Sequence, residues 1–255
     1  MEEKKVNASA AAVVESTSSS AADDPRTGDR IGTREDARVK GKEFDYNITR
    51  DRKFCKLMVK VLGPFVRHKF KAQYFGLENV PKEGKLIIAC NHRSYFDPFL
   101  LCAGKTRSIH YMAKLELFSV NPAVSWFLRH CNAFPIKRGQ HDMDAMNYAH
   151  RVVNEGKVLG IFPEGTRSIE GERLRPKLGV ARIANATHAD VLPASIYYEG
   201  DKCGKNGITT IRFGEVIHYD DLKMSDDADK EELINAATYI MEKIGDLLDK
   251  EHSAD

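Results

Sequence analysis

The run Asn91-His92-Arg93-Ser94-Tyr95-Phe96-Asp97-Pro98 carries the residue types that acid–base chemistry needs. Histidine is the side chain whose ordinary pKa lies near neutrality, so His92 suits a general base. Asp97 stands five residues on, far enough to come round a loop and accept from the other imidazole nitrogen. Such a contact fixes the tautomer and stabilises the imidazolium. The same residues also read as a loop histidine and a helix cap before Pro98. A second run, Phe162-Pro163-Glu164-Gly165-Thr166-Arg167-Ser168, sets one anion, one fixed cation and two hydroxyls in a glycine-containing turn. Arg167 could hold a phosphate there through two parallel bonds; alternatively, Glu164 and Arg167 form a structural ion pair. Phe134-Pro135-Ile136-Lys137-Arg138 adds two cations after a short apolar run.

Other chemistries find no pattern. The sequence has no GxSxG elbow, no GxxxxGK[ST] loop, no GxGxxG, no HExxH and no EF-hand pattern. His141, Asp142, Asp144 and His150 have the spacing of an ordinary helix start, so no metal site is expected. The five cysteines include no CxxC pair, which reads as reduced thiols rather than a disulfide framework or a zinc site.

The elements that would position these residues follow from apolar patterning. Residues 85–90, 157–162 and 191–198 are short apolar runs of the buried-strand kind. Further strands are predicted over 72–80, 108–113, 133–136 and, towards an edge, 208–217. Helical spacing covers 97–103, 122–130, 142–154, 177–186 and 230–250. Strands alternating with helices imply a layered α/β domain. In such sheets ligands bind at the carboxyl ends of the strands, where the two polar runs stand.

The 255 residues carry 39 cations and 37 anions, a net charge of +2, which argues against a nucleic-acid coat. No apolar run is long enough to span a bilayer. Residues 1–45 contain only seven Val, Ile, Leu, Met or Phe and are expected to be a disordered tail. Their acidic start, and an apolar patch limited to 10–14, predict no signal peptide and a cytosolic chain. Residues 46–71 differ sharply. Between 50 and 71 stand eight Lys or Arg against one Asp. Phe54, Leu57, Met58, Val61, Leu62 and Phe65 form an apolar stripe at helical spacing, broken by Gly63-Pro64 into two short helices or a sharp kink. A basic amphipathic segment of this kind suits an anionic membrane surface; it also reads as a terminal helix packed on the core.

Four blocks in order, Asn91-His92 through Asp97, Lys114 to Phe118 with Phe134 to Arg138, Phe162 to Ser168, and Val191 to Ala194, resemble the glycerolipid acyltransferases of the 1-acyl-sn-glycerol-3-phosphate acyltransferase family. The resemblance covers roughly residues 72–220, within an acyltransferase domain placed at 72–255, and the H-x-x-x-x-D and FPEGTRS blocks stand about 70 residues apart. It implies a single layered α/β domain with a central mixed sheet flanked by helices. It also implies transfer of a fatty acyl group, from acyl-CoA or acyl carrier protein, to lysophosphatidic acid, giving phosphatidic acid. No cofactor, metal or nucleic acid enters this expectation. His92 and Asp97 would be catalytic, Lys114 and the Gly165 amide oxyanion donors. Arg138, Glu164, Thr166 and Arg167 would form the acceptor-phosphate site. The enzyme would sit peripherally on the cytoplasmic face of a bacterial cell membrane. Other acceptors (a lysophospholipid, glycerol-3-phosphate or an amino-acid lipid) share the blocks, and a non-catalytic membrane-binding module is a further alternative.

Overall fold

Leu86–Cys90 is apolar at every position, and all five residues are buried. That is the pattern of a parallel strand covered on both faces. In the computed structural model it forms the middle of a seven-stranded sheet. The structure describes residues 44–47, 49, 53–104, 107–137, 142–168, 175–200 and 207–251. The tail expected over 1–45 falls outside these, save for Phe44 and Asp45, and so does Arg138. Phe44 and Tyr46 pack edge-on against Tyr148.

The elements run α1 (Lys53–Lys69), β1 (Ala72–Phe75), β2 (Leu86–Cys90), α2 (Asp97–Ala103), β3 (Ile109–Lys114), α3 (Pro122–His130), β4 (Ala133–Ile136), α4 (Met143–Asn154), β5 (Val158–Ile161), α5 (Gly179–Thr187), β6 (Asp190–Tyr198), β7 (Thr209–Phe213) and α6 (Lys230–Asp249). The strand order is β1-β7-β6-β2-β5-β3-β4. Every neighbouring pair is parallel except β6 with β7, so the sheet is mixed. Side chains alternate across the strands. Ile87 and Ala89 pack into a core with α4, α5 and α6. Leu86, Ile88 and Cys90 pack on the other face with residues of α1 and α2.

Two expectations change. The strand expected over 72–80 ends at Phe75, because Gly76 turns the chain with φ 71° into a 3-10 turn, Leu77–Asn79. A side chain at Gly76 would meet the Phe213 carbonyl oxygen at 2.0 Å. The segment around Gly63-Pro64 is one continuous helix rather than two. Pro64 and Lys60 are both exposed, so the carbonyl that proline leaves without an amide partner is on the water side. Gly63 is buried against Ala103 of α2.

The face by which α1 packs is also not its apolar stripe. Its buried residues are Cys55, Gly63 and Val66. Leu57, Val61 and Phe65, nearly half a turn away at 3.6 residues per turn, are each more than half exposed.

Gly160 in β5 lets Tyr111 cross the sheet surface: a side-chain carbon there would stand 2.3 Å from the Tyr111 ring and 2.7 Å from Ile109. Gly160→Ala is expected to lower stability by about 1–3 kcal/mol through overpacking, read from the urea midpoint. An unchanged midpoint would mean that Tyr111 can move aside without loss.

Candidate active site

Parallel neighbours deliver their carboxyl ends to the same edge of a sheet. Here β2 and β5 pair with Ala89 opposite Ile161, and β5 pairs with β3. The loop after β2 carries His92, the loop after β5 carries Phe162 to Ser168, and β3 ends at Lys114. The two loops are tied together by the Ser168 amide, which donates to the His92 carbonyl at 2.8 Å. Buried Asn91 anchors the first loop to β6, exchanging bonds of 3.0 and 2.8 Å with the backbone of Ile196.

His92 Nδ1 lies 2.7 Å from Asp97 Oδ2. The same oxygen accepts from the amides of Arg93 at 2.7 Å and Ser94 at 2.8 Å. The other oxygen accepts from the hydroxyl of Tyr198 at 2.5 Å. Asp97 and Tyr198 are both buried. Asp97 thus holds His92 by its Nδ1 and leaves Nε2 for the cavity that His92 lines. The imidazole stacks on Phe162 with ring centroids 4.1 Å apart.

That cavity has a volume of about 410 Å³. His92, Lys114, Thr166 and Arg167 stand in its wall. The remainder is mostly apolar, with Met58, Leu62 and Val66 from α1, Phe99 from α2 and Leu128 from α3. Two members of the stripe expected to meet a membrane, Met58 and Leu62, also face this cavity. Lys114 pairs with Glu116 at 3.1 Å. Arg167 does not turn to Glu164: its guanidinium stacks on Tyr95 at 3.7 Å and donates to the Tyr95 hydroxyl at 3.0 Å.

Two of the expected site residues, Gly165 and Glu164, are not in the cavity wall. The Gly165 amide, an oxyanion-donor candidate, donates to the Phe162 carbonyl at 2.9 Å, closing the turn that the positive φ of Gly165 creates. Glu164, expected with Arg167 at the acceptor phosphate, faces the interior while Arg167 faces the cavity. Glu164 is buried, absent from the cavity wall, and accepts from the His92 backbone amide. Burial, with the nearby Asp97 charge, pushes its pKa up from 4.5 to about 7, against the opposing pull of that amide and Arg93. Its Oε2 has no hydrogen-bond partner.

Tyr198, Tyr95 and the stacking face of Phe162 were not singled out from the sequence. Tyr198 is 101 residues from Asp97 and reaches it only because β6 lies beside β2. No local spacing encodes that.

The Acyltransferase family model matches residues 71–197. The 1-acyl-sn-glycerol-3-phosphate acyltransferase of Bacillus subtilis is 33% identical over 174 residues, spanning 66% of this chain and 83% of that protein. The chain belongs to this acyltransferase family. A 1-acyl-sn-glycerol-3-phosphate acyltransferase of Streptococcus pneumoniae is 30% identical over 171 residues, 64% of this chain and 62% of that one. Among solved structures, the 1-acyl-sn-glycerophosphate acyltransferase PlsC of Thermotoga maritima matches with a TM-score of 0.61 at 26% identity, covering 82% of this chain and 86% of that one. The acyltransferase match spans β1 to β6, and so includes the loops that carry His92, Asp97 and Arg167.

Glu164 gives a pH test. Its folded pKa is raised, so the folded protein keeps a proton that the unfolded chain releases between about pH 4.5 and about 7. Its contribution to stability is full below that window and is lost as pH rises through it. Glu164→Gln cannot ionise. Relative to the native protein it should gain about 1–3 kcal/mol on going from pH 5 to pH 8, measured by chemical denaturation at both. A difference that stays flat with pH would mean the acid ionises alike in both states.

Proposed function

We propose that this enzyme moves a fatty acyl group from an acyl thioester, on coenzyme A or acyl carrier protein, to the sn-2 hydroxyl of 1-acyl-sn-glycerol-3-phosphate, giving phosphatidic acid. The observation that carries this reading is the His92–Asp97 pair, 2.7 Å apart, in the wall of a largely apolar cavity. His92 Nε2 takes the proton from the acceptor hydroxyl as its oxygen attacks the thioester carbonyl. Asp97 stabilises the imidazolium so formed. The tetrahedral intermediate collapses, the carbon–sulfur bond breaks, and the proton held on His92 passes to the departing thiolate. The hydroxyl attacks directly, so no acyl-enzyme forms.

The remaining roles follow from charge and reach. Lys114 stands in the same wall as His92 and offers an ammonium to the developing oxyanion. Arg167 and Thr166 meet the acceptor phosphate, with Tyr95 holding the guanidinium plane. Arg138 is assigned to the same phosphate from the family block alone, since it lies outside the described residues. Glu164 acts from behind, steadying the His92 loop through the backbone. The apolar part of the cavity takes an acyl chain.

Both acceptor and product are anionic bilayer lipids, so the enzyme works at a membrane surface. Among the described residues no helix is long and apolar enough to cross a membrane. The exposed Leu57, Val61 and Phe65 of α1, flanked by Lys53, Lys56, Lys60, Arg67 and Lys69, support an interfacial helix on the cytoplasmic face.

A panel of acceptors offered with one acyl donor, read by product mass, tests the function; a dominant product other than phosphatidic acid would overturn the acceptor assignment. His92→Ala should lower turnover by about 10²–10⁴-fold with the fold intact. Near-native activity would remove the base assignment. Arg167→Ala should raise the acceptor KM about tenfold or more while leaving the donor KM little changed, because charge-assisted phosphate bonds are lost. Equal losses for both substrates would assign Arg167 a structural role instead.

A further inference from the structure

Helix α3 is built inside out for a helix exposed to water. Of its nine residues, PAVSWFLRH, the only buried one is Ser125. Its side-chain oxygen accepts from Arg129 Nε at 3.3 Å. Trp126 is 51% exposed, and Val120, just before the Asn121 cap, is 65% exposed.

This surface is continuous with that of α1. Phe54 of α1 meets the Trp126 ring edge-on at 5.0 Å, and Trp126 stacks on His130 at 4.2 Å. Cys55 of α1 and Cys131, the residue that follows α3, stand together in the wall of the cavity. Of the thirteen large apolar side chains exposed among the described residues, eight belong to α1, to the loop entering α2, or to Val120 and Trp126. The apolar cavity lies between the two helices, with α1 and Leu128 of α3 in its wall.

We propose that the membrane footprint comprises two helices, with Trp126 and Val120 seated in the same anionic leaflet as the apolar face of α1. The proposal rests on the reading of α1 as an interfacial helix and extends it to a segment more than fifty residues away. Charge selects this occupant. Neither helix carries a carboxylate, whereas α1 ends in Arg67, His68 and Lys69, and α3 in Arg129 and His130. A second copy of the chain would bring cations against cations, while lipid phosphates complement them. The indole, with an apolar body and a polar N–H, suits the headgroup boundary.

Trp126 is the only tryptophan in the chain, so all tryptophan emission reports this position. The full-length protein is mixed with phosphatidylcholine vesicles containing phosphatidylglycerol. The emission should shift to the blue on binding and be quenched by lipids brominated in their acyl chains. Trp126→Ala should weaken vesicle sedimentation about tenfold or more, as expected for losing a buried aromatic side chain. Leu57→Asp with Val61→Asp should abolish it. If that double variant is released but Trp126 is never quenched, and Trp126→Ala pellets like the parent, α1 alone binds lipid and the two-helix footprint is overturned. If the double variant still pellets with Trp126 quenched, the α1 reading falls and the shared footprint with it. A parent protein that does not pellet overturns both. A blue shift that grows with protein concentration in the absence of vesicles would assign the face to a second copy, and would also overturn the proposal.

Discussion

A carboxylate shut away from water is costly unless donors surround it, and the architecture of this site is organised around one such group. Asp97 accepts from the His92 ring, from the amides of Arg93 and Ser94, and from the Tyr198 hydroxyl. Each bond exchanges part of the lost hydration for a fixed donor. The carboxylate also stands in the first turn of α2, where the helix dipole favours negative charge. Because its donors come from the loop after β2 and from β6, satisfying this one group fixes where the loop, the helix and the neighbouring strand meet. The position of His92 is a consequence.

The second polar loop divides its work between two faces. Glu164 points inward, takes the His92 amide and is raised towards neutrality by burial and by the Asp97 charge. Two carboxyl groups can share so small a volume because one is well supplied with donors while the other is pushed towards its uncharged form. Arg167 points outward to Tyr95 and the cavity. Residues three apart in sequence thus serve different purposes, one as support for the backbone that carries the base and one as a cation available to an anionic ligand.

Helix α1 divides its surface between the interior and the outside of the molecule. Cys55, Gly63 and Val66 pack on the core, and the small side chains there allow close approach to α2. The same three residues, with Met58 and Leu62, help to wall the cavity, while Leu57, Val61 and Phe65 remain exposed. The hydrophobic surface used for folding is consequently distinct from the surface left for a partner, and one helix connects the cavity to the outside of the molecule.

The class of fold, and the residues around which the chemistry gathers, were legible in local pattern. Continuous apolar runs such as 86–90 belong to strands buried on both faces, and polar runs at their ends belong to loops at the sheet edge; both are local consequences of the need to bury apolar area. His92 and Asp97 were legible because five residues of loop are enough to bring them together. The extent of β1 was overestimated because a tight approach to the Phe213 carbonyl, invisible in local pattern, requires Gly76 to turn the chain. The surroundings of Glu164 and Gly165 could not be read either: whether a carboxyl faces a cavity or an amide, and whether an amide is already engaged, depends on which loop lies behind it. Tyr198 shows the limit most clearly. Its hydroxyl meets Asp97 only through the side-by-side pairing of β6 and β2, and strand order is decided by tertiary packing over the whole chain, where sequence spacing carries no distance.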